Sequence, residues 1–217
     1  YCFRYDRCII EKRSGVGVMD KFGLEIVPYI YDNIAPNSYW SPAYYRATYN
    51  NQEGVLALNG TEIIPCIYDD IDTWLTTDNF MVKSGKLKGL YTPRGKVIVP
   101  CEYTKISRWR ETSLIHVKID DQEGLYSPEG QEILPCQFII CKELNGISLI
   151  NRGGFSKNGK VQNGIWGAIN KEGKIIVPCK YNDITPYAGS ERIEADGGYI
   201  KDIYDFNGNY LRSEYKW

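Results

Sequence analysis

A glycine returns along this chain at a nearly fixed interval, and no other feature restricts the fold as much. Gly23, Gly60, Gly95, Gly130, Gly173 and Gly208 are separated by 37, 35, 35, 43 and 35 residues. Five residues after the first five stands a proline: Pro28, Pro65, Pro100, Pro135 and Pro178. Six residues before them stands a second glycine: Gly17, Gly54, Gly89, Gly124 and Gly167. In the sixth copy Asp202 and Ser213 take those two places. A period of this length marks a tandem-repeat architecture, in which each unit is too small to bury its own apolar face and must stack on its neighbours.

The columns of the repeat read as an antiparallel hairpin. In the third copy LYTPR and KVIV flank Gly95. Two short β-favouring runs around a glycine are the signature of a hairpin whose turn needs a positive φ. Two residues before each proline is an isoleucine, namely Ile26, Ile63, Ile98, Ile133 and Ile176, while the residue two earlier varies freely. That constancy predicts burial of the isoleucine. Proline cannot donate to a ladder, so the strand is expected to end, or to become an edge, at that point. Three residues after the proline comes an aromatic (Tyr31, Tyr68, Tyr103, Phe138, Tyr181) and six after it Ile34, Ile71, Ile106, Cys141 or Ile184. This aromatic-x-x-Ile segment is expected to plug one hairpin onto the next. Ahead of each hairpin lies a lead strand, as in AYYRATY, NFMVKS and SLIHVKI, giving three strands and a short fourth per unit.

The units IWGAINKEGKIIVPCKYNDI and GVLALNGTEIIPCIYDDI resemble the bacterial WG-repeat family, and the likeness extends over nearly the whole chain. The name-giving pair occurs once, as Trp166-Gly167; elsewhere the tryptophan is Val16, Glu53, Lys88, Glu123 or Lys201. The resemblance implies an all-β tandem repeat whose shared positions are structural, with no enzymatic activity and no catalytic residues.

The expected fold is therefore all-β. Residues 1–217 form a single repeat domain of about six β-hairpin-based units, arranged as an open twisted stack or, alternatively, as a six-bladed β-propeller. A formal net charge of −1 leaves no basic footprint for nucleic acid. No run approaches the ~18 apolar residues of a membrane span. Four of the seven cysteines, Cys66, Cys101, Cys136 and Cys179, follow the proline directly and read as small buried apolar side chains. Disulfides between equivalent positions and a zinc site both fit that spacing poorly.

Catalytic constellations are scarce. His116 is the one histidine, on a strand face opposite the apolar column. Asp69, Asp70 and Asp72 lack the spacing of a calcium loop and read as turn formers. No catalytic, cofactor or metal residues are expected. The candidate ligand surface is an aromatic stripe of Trp40, Trp74, Trp109 and Tyr187, since tryptophan and tyrosine are frequent anchors at interfaces. A second candidate is the Gly-, Asn- and Lys-rich insertion LINRGGFSKNGKVQNGIWG, eight residues longer than its counterparts. The expected role is a non-catalytic module binding a protein partner along the repeats, or alternatively a glycan along the stripe. The chain begins at Tyr1; loss of a secretory leader is one explanation, and with the Trp/Tyr richness it favours the cell envelope or exterior over the cytoplasm.

Overall fold

The computed structural model describes residues 6–37, 43–74 and 78–216, without the side chains of 142 and 143. It divides into two compact units, one up to Glu102 and one from Tyr103 onward. In the first unit, β1 (Arg7–Lys12), β2 (Gly15–Asp20) and β3 (Glu25–Tyr31) form a three-stranded antiparallel sheet. β4 (Asn33–Pro36), β5 (Tyr44–Tyr49), β6 (Gln52–Ala57) and β7 (Glu62–Tyr68) make the second sheet. β8 (Asp70–Thr73), β9 (Phe80–Ser84), β10 (Leu87–Tyr91) and β11 (Val97–Tyr103) make the third.

The second unit holds a seven-stranded sheet. It joins β12 (Lys105–Arg108), β13 (Ile115–Ile119), β14 (Gln122–Tyr126), β15 (Glu132–Leu144), β16 (Ile147–Arg152), β19 (Ile165–Ile169) and β20 (Ile175–Tyr181). β17 (Phe155–Lys157) and β18 (Lys160–Gln162) form a separate hairpin between β16 and β19. β21 (Asp183–Tyr187), β22 (Arg192–Asp196), β23 (Ile200–Asp205) and β24 (Tyr210–Tyr215) complete the unit. The chain is thus an all-β tandem array of hairpin-based repeats.

The predicted turn glycines all have positive φ, from 79° to 91°. Each turn is also capped three residues earlier by a backbone bond, such as Gly95 N–H to Thr92 O at 3.0 Å. At that position Asp20, Ser127, Asn170 and Asp205 accept further turn N–H groups on their side chains. Short polar side chains that copy a backbone acceptor are what tight turns favour.

The proline does not end the strand. β3, β7 and β20 run straight through Pro28, Pro65 and Pro178, and the ladder shifts register there. Val55 faces Ile64 and Glu53 faces Tyr68, so the single residue between them on β6, Gly54, stands opposite three on β7. Pro65 and Cys66 fill this bulge, where the missing N–H leaves no ladder bond unmade. The bulge also explains the second glycine. A Cβ on Gly54 would lie 2.6 Å from Cys66 Sγ, and one on Gly167 would lie 2.6 Å from Cys179 Sγ. The glycine is the floor on which the cysteine rests.

Burial refines the isoleucine expectation. The fully buried column is one residue later: Val27, Ile64, Val99, Leu134 and Val177. Ile98 and Ile176 are buried, but Ile26, Ile63 and Ile133 are partly exposed. They serve the junction between repeats instead: Ile26 and Ile63 lie against the turn glycines Gly60 and Gly95 of the following repeat. The aromatic-x-x-Ile segment does link neighbours. β4, β8 and β21 each leave one hairpin and pair with the lead strand of the next sheet. The break before β4 and β8 falls at Asp32 and Asp69, whose carboxylates accept the N–H of Asn51 and Gly85. Ile139 stands at that point in the fourth repeat, no break occurs, and β15 runs on for 13 residues.

Four of the five linking aromatics match their partners in carrying or lacking a hydroxyl. Tyr68, Tyr103 and Tyr181 hydrogen bond hydroxyl to hydroxyl with Tyr91, Tyr126 and Tyr204 at 2.7, 2.9 and 2.6 Å. Phe138 shares its core cluster with Ile169, an aliphatic residue at the partner position. Phe138 thus places no unpaired hydroxyl beside Ile169, whereas in the first repeat Tyr31 keeps its hydroxyl with Leu56 at the partner position and is only partly buried.

Candidate functional site

Of the three stripe residues that are described, only Tyr187 is exposed. Trp74 and Trp109 are buried, at 8% and 6% exposure, which corrects the expectation for both. Each closes the loop between the linking strand and the lead strand: Trp74 N–H donates to Asn79 O and Trp109 N–H to Leu114 O, both at 2.8 Å. The Trp109 ring joins the core with Leu125, Leu134 and Phe138. Tyr187 is 41% exposed at the end of β21, with the Arg192 guanidinium 5.3 Å from its ring centre. Trp40 lies outside the described residues.

His116 is neither isolated nor fully exposed. Its Nε2 lies 2.6 Å from Glu123 Oε2 and its Nδ1 lies 3.3 Å from Ser107 Oγ. The row of hydroxyl, imidazole and carboxylate looks catalytic at first sight. The repeat gives it a plainer origin. Glu123 occupies the column of the name-giving tryptophan, and His116 is its diagonal neighbour on the lead strand. The same two positions hold Arg46 and Glu53 at 3.2 Å in the second repeat, and Glu194 and Lys201 at 2.7 Å in the sixth. In the fifth they hold Leu149 and Trp166, packed on one apolar cluster. The positions thus hold a charged pair in the second and sixth repeats, an apolar pair in the fifth and a mixed pair, Met81 and Lys88, in the third, and the histidine with its glutamate is of the charged kind.

Three departures from the repeat meet at one place in the second unit. The first is the insertion, which forms an ordered hairpin, β17 and β18, rather than an open loop. Its turn, Asn158-Gly159, has positive φ at both residues, 51° and 72°, as a two-residue hairpin requires. Asn151 anchors its base with no exposed surface. Its Nδ2 donates to Asn163 O and its Oδ1 accepts from Gly154 N–H, both at 3.0 Å. The second departure is the unbroken β15, with Ile139 and Cys141 where other repeats have a break and an isoleucine. The third is Trp166, the single tryptophan of the Trp-Gly pair.

Ile139, Asn151 and Trp166 are direct cross-strand partners and form one row across β15, β16 and β19. A slot of about 380 Å³ opens beside that row. Ile139, Cys141 and Trp166 line it from the sheet, and Ser156 and Val161, opposite each other in the hairpin, line it from β17 and β18. Lys118, Asp121 and Glu123 border it from β13, β14 and the turn between them. Glu123 Oε1 is 3.6 Å from Lys118 Nζ. Burial raises the Cys141 thiol above its ordinary pKa, so it stays protonated at neutral pH and lines the slot as a neutral group. The volume lies within the range of small-ligand and side-chain pockets.

A larger hollow of about 770 Å³ lies over the loop Arg110–Leu114 and the turns at Gly146 and Lys171. Its most distinctive group, Arg110, is turned inward: the guanidinium lies 4.4 Å from the Trp109 ring centre and donates to the buried Ser148 Oγ at 2.9 Å. It serves as a lid on the core. Among the described residues, no three His, Cys, Asp or Glu side chains converge as metal ligands would, and no helix is long and apolar enough to cross a membrane.

Repeated hairpin sheets, bulged at Pro-Cys over glycine and carrying one slot where the pattern is broken, define a β-repeat protein. Residues 58–83, 89–122 and 166–191 match the family described as the WG containing repeat, so the chain resembles that family in three segments along its length. No curated protein matches it. Among solved structures it is similar to the AfRom2 CNH domain at 12% identity, over 97% of this chain and 81% of that one, with a TM-score of 0.27. It is also similar to BamB from Moraxella catarrhalis at 12% identity, over 97% and 73%, with a TM-score of 0.26. Hsv2p from Kluyveromyces lactis shares 10% identity over 83% of this chain and 62% of its own, under two thirds of its length, with a TM-score of 0.28. Superpositions this loose establish neither a shared fold nor a shared role.

Proposed function

We propose that this chain is a non-catalytic binding module, and that it holds a polypeptide segment of a protein partner in the slot under the β17–β18 hairpin. One observation carries the reading. The insertion, the unbroken strand and the lone Trp-Gly pair each break the repeat, and all three border the same cavity. Drift in unrelated positions gives no reason for them to converge. The slot has the makeup of a recognition site: a half-buried aromatic, aliphatic walls and a few polar groups at one end. The buried Asn151 clamp holds the hairpin in place before any partner arrives, which lowers the ordering cost of binding. With this reading goes an exported location, for which the tryptophan and tyrosine content speaks.

The test is selection of a displayed peptide library on the intact chain and on a variant with residues 155–162 replaced by Gly-Gly. The variant is first checked for an unchanged far-ultraviolet spectrum and melting transition. Peptides that bind the intact chain and not the variant are the expected result. A glycan array probed in parallel covers the other ligand class. Hairpin-dependent glycan binding without hairpin-dependent peptides would overturn the polypeptide reading, and peptides indifferent to the hairpin would overturn the site.

A further inference from the structure

The borders of the slot differ in character along its length, and the difference specifies what enters it. Trp166, Val161 and Ile139 offer an apolar passage, and Cys141 adds a protonated thiol. At one end stand Asp121 and Glu123 with Lys118. Lys118 pairs with Glu123 at 3.6 Å, while Asp121 is exposed on the turn between β13 and β14. Glu123 is also met by His116 Nε2 at 2.6 Å, so the carboxylate left at that end to receive a further cation is Asp121. Lys157 and Lys160 at the hairpin tip do not offset it. Each is adjacent in its strand to Ser156 or Val161, which line the slot, so alternation turns both lysines to the other face.

An aromatic wall leading to this carboxylate suits a long aliphatic stem with a cation at its tip. The stem packs along the indole and the aliphatic side chains, and the cation gains from the ring face and the carboxylate together. We infer that the slot takes an arginine or lysine side chain from an extended segment of the partner. This rests on the reading of the slot as a polypeptide site and adds the chemistry of the anchor. Arginine fits better than lysine, because its planar head can stack on the indole while forking to a carboxylate.

The probe is the blocked tripeptide acetyl-Gly-Arg-Gly-amide, compared with its citrulline twin, which keeps the shape and removes the charge. Each is titrated into the full chain while the Trp166 indole N–H is followed by NMR, assigned with Trp166→Phe. The arginine peptide is expected to shift that signal and to bind about tenfold more tightly than the citrulline twin. The preference should weaken as salt is raised. Asp121→Asn, on an exposed turn where the fold is not at risk, should reduce the preference to about twofold or less. Equal binding of the two peptides, or a preference that survives Asp121→Asn, overturns the inference. Hairpin-dependent library peptides without a basic residue would also overturn it while leaving the slot a polypeptide site. An absence of hairpin-dependent peptides would remove the site itself.

Discussion

The fifth and sixth hairpins, β19–β20 and β23–β24, share a turn and differ in their stems. In the fifth, Gly167 lies under Cys179 and the ladder slips by two residues at Pro178. In the sixth, Ile200 to Ile203 pair with Tyr215 to Arg212 without interruption. With no bulge overhead, the glycine position can carry a side chain, and Asp202 stands there. It accepts from Tyr181 Oη at 2.7 Å and from Ser213 Oγ at 2.5 Å. Glycine and proline are thus one device. In the first repeat Tyr29 takes the place of the cysteine over Gly17 and the bulge remains, whereas in the sixth the glycine and proline are both lost and the strand straightens.

The two hairpins also differ in the face they offer. The position before proline carries Val177 in the fifth repeat, with no exposure, and Arg212 in the sixth. Around Arg212 the sheet is covered by ion pairs: Arg192 and Lys201 with Glu194, Arg212 with Glu214, and Lys216 with Asp196. A face that elsewhere receives an apolar neighbour is here charged, as at a capping repeat.

The contrast can be broken by mutation, and the largest effect should come from that column. Leu134→Ala in the fourth repeat should cost about 2–5 kcal/mol, a cavity in a sealed core, whereas Arg212→Ala should stay within about 0.5 kcal/mol. Urea titration reads both, and equal losses would mean the column is not what seals the sheets together. Next comes Gly167→Ala, whose Cβ would meet Cys179 Sγ at 2.6 Å and Val177 O at 2.7 Å, with a loss of about 1–3 kcal/mol. Replacing Cys179 by alanine in the same chain should recover part of that loss; no recovery would separate the glycine from the bulge.

Smaller effects concern the hydroxyl pairs. Tyr181→Phe should destabilise by about 1–2 kcal/mol, since Tyr204 and Asp202 both lose a partner. Phe138→Tyr should destabilise to a similar degree for the opposite reason, because it faces Ile169 with a hydroxyl that has no mate. Stabilisation by Phe138→Tyr would show that the missing hydroxyl is not matched to Ile169. The smallest effect is acid sensitivity. Hydrogen bonding to Lys201 lowers the Glu194 pKa, Lys216 lowers that of Asp196, and Ser213 followed by Tyr181 lowers that of Asp202. A carboxylate depressed in the folded state contributes stability above its unfolded value, near 4, and loses it as pH falls through the folded value. Amide exchange in β22–β24 should therefore quicken before that in β19–β20 as pH drops below about 4. Simultaneous loosening would show that these carboxylates give the sixth sheet no separate sensitivity.

Much of this was legible in the residues because each column has a local cause. The turn glycine, the linking tyrosine and the isoleucine six after proline all stand where periodicity placed them. The bulge was not, because proline alone does not distinguish a strand that stops from one that swells; the clue was the glycine opposite, which no hairpin turn required. The stripe failed because Trp74 and Trp109 sit in loops, where alternation gives no guide to direction. The slot was half legible. The insertion marked its roof, but as a loop; the Asn158-Gly159 turn that makes it a hairpin went unread, and no spacing revealed that Ile139 and Trp166 become partners in one row.

The thiols behind the glycines have a practical consequence. Burial pushes Cys66 and Cys179 up to about 11 and raises Cys101 and Cys136 as well. Thiolate is the reactive form, so at neutral pH an alkylating reagent should label these positions slowly while the bulge is closed. Each of the four then works as a clock set into its own repeat. Site-resolved labelling rates would time the opening of the second, third, fourth and fifth hairpins separately, in the unmodified chain, without a probe having to be introduced.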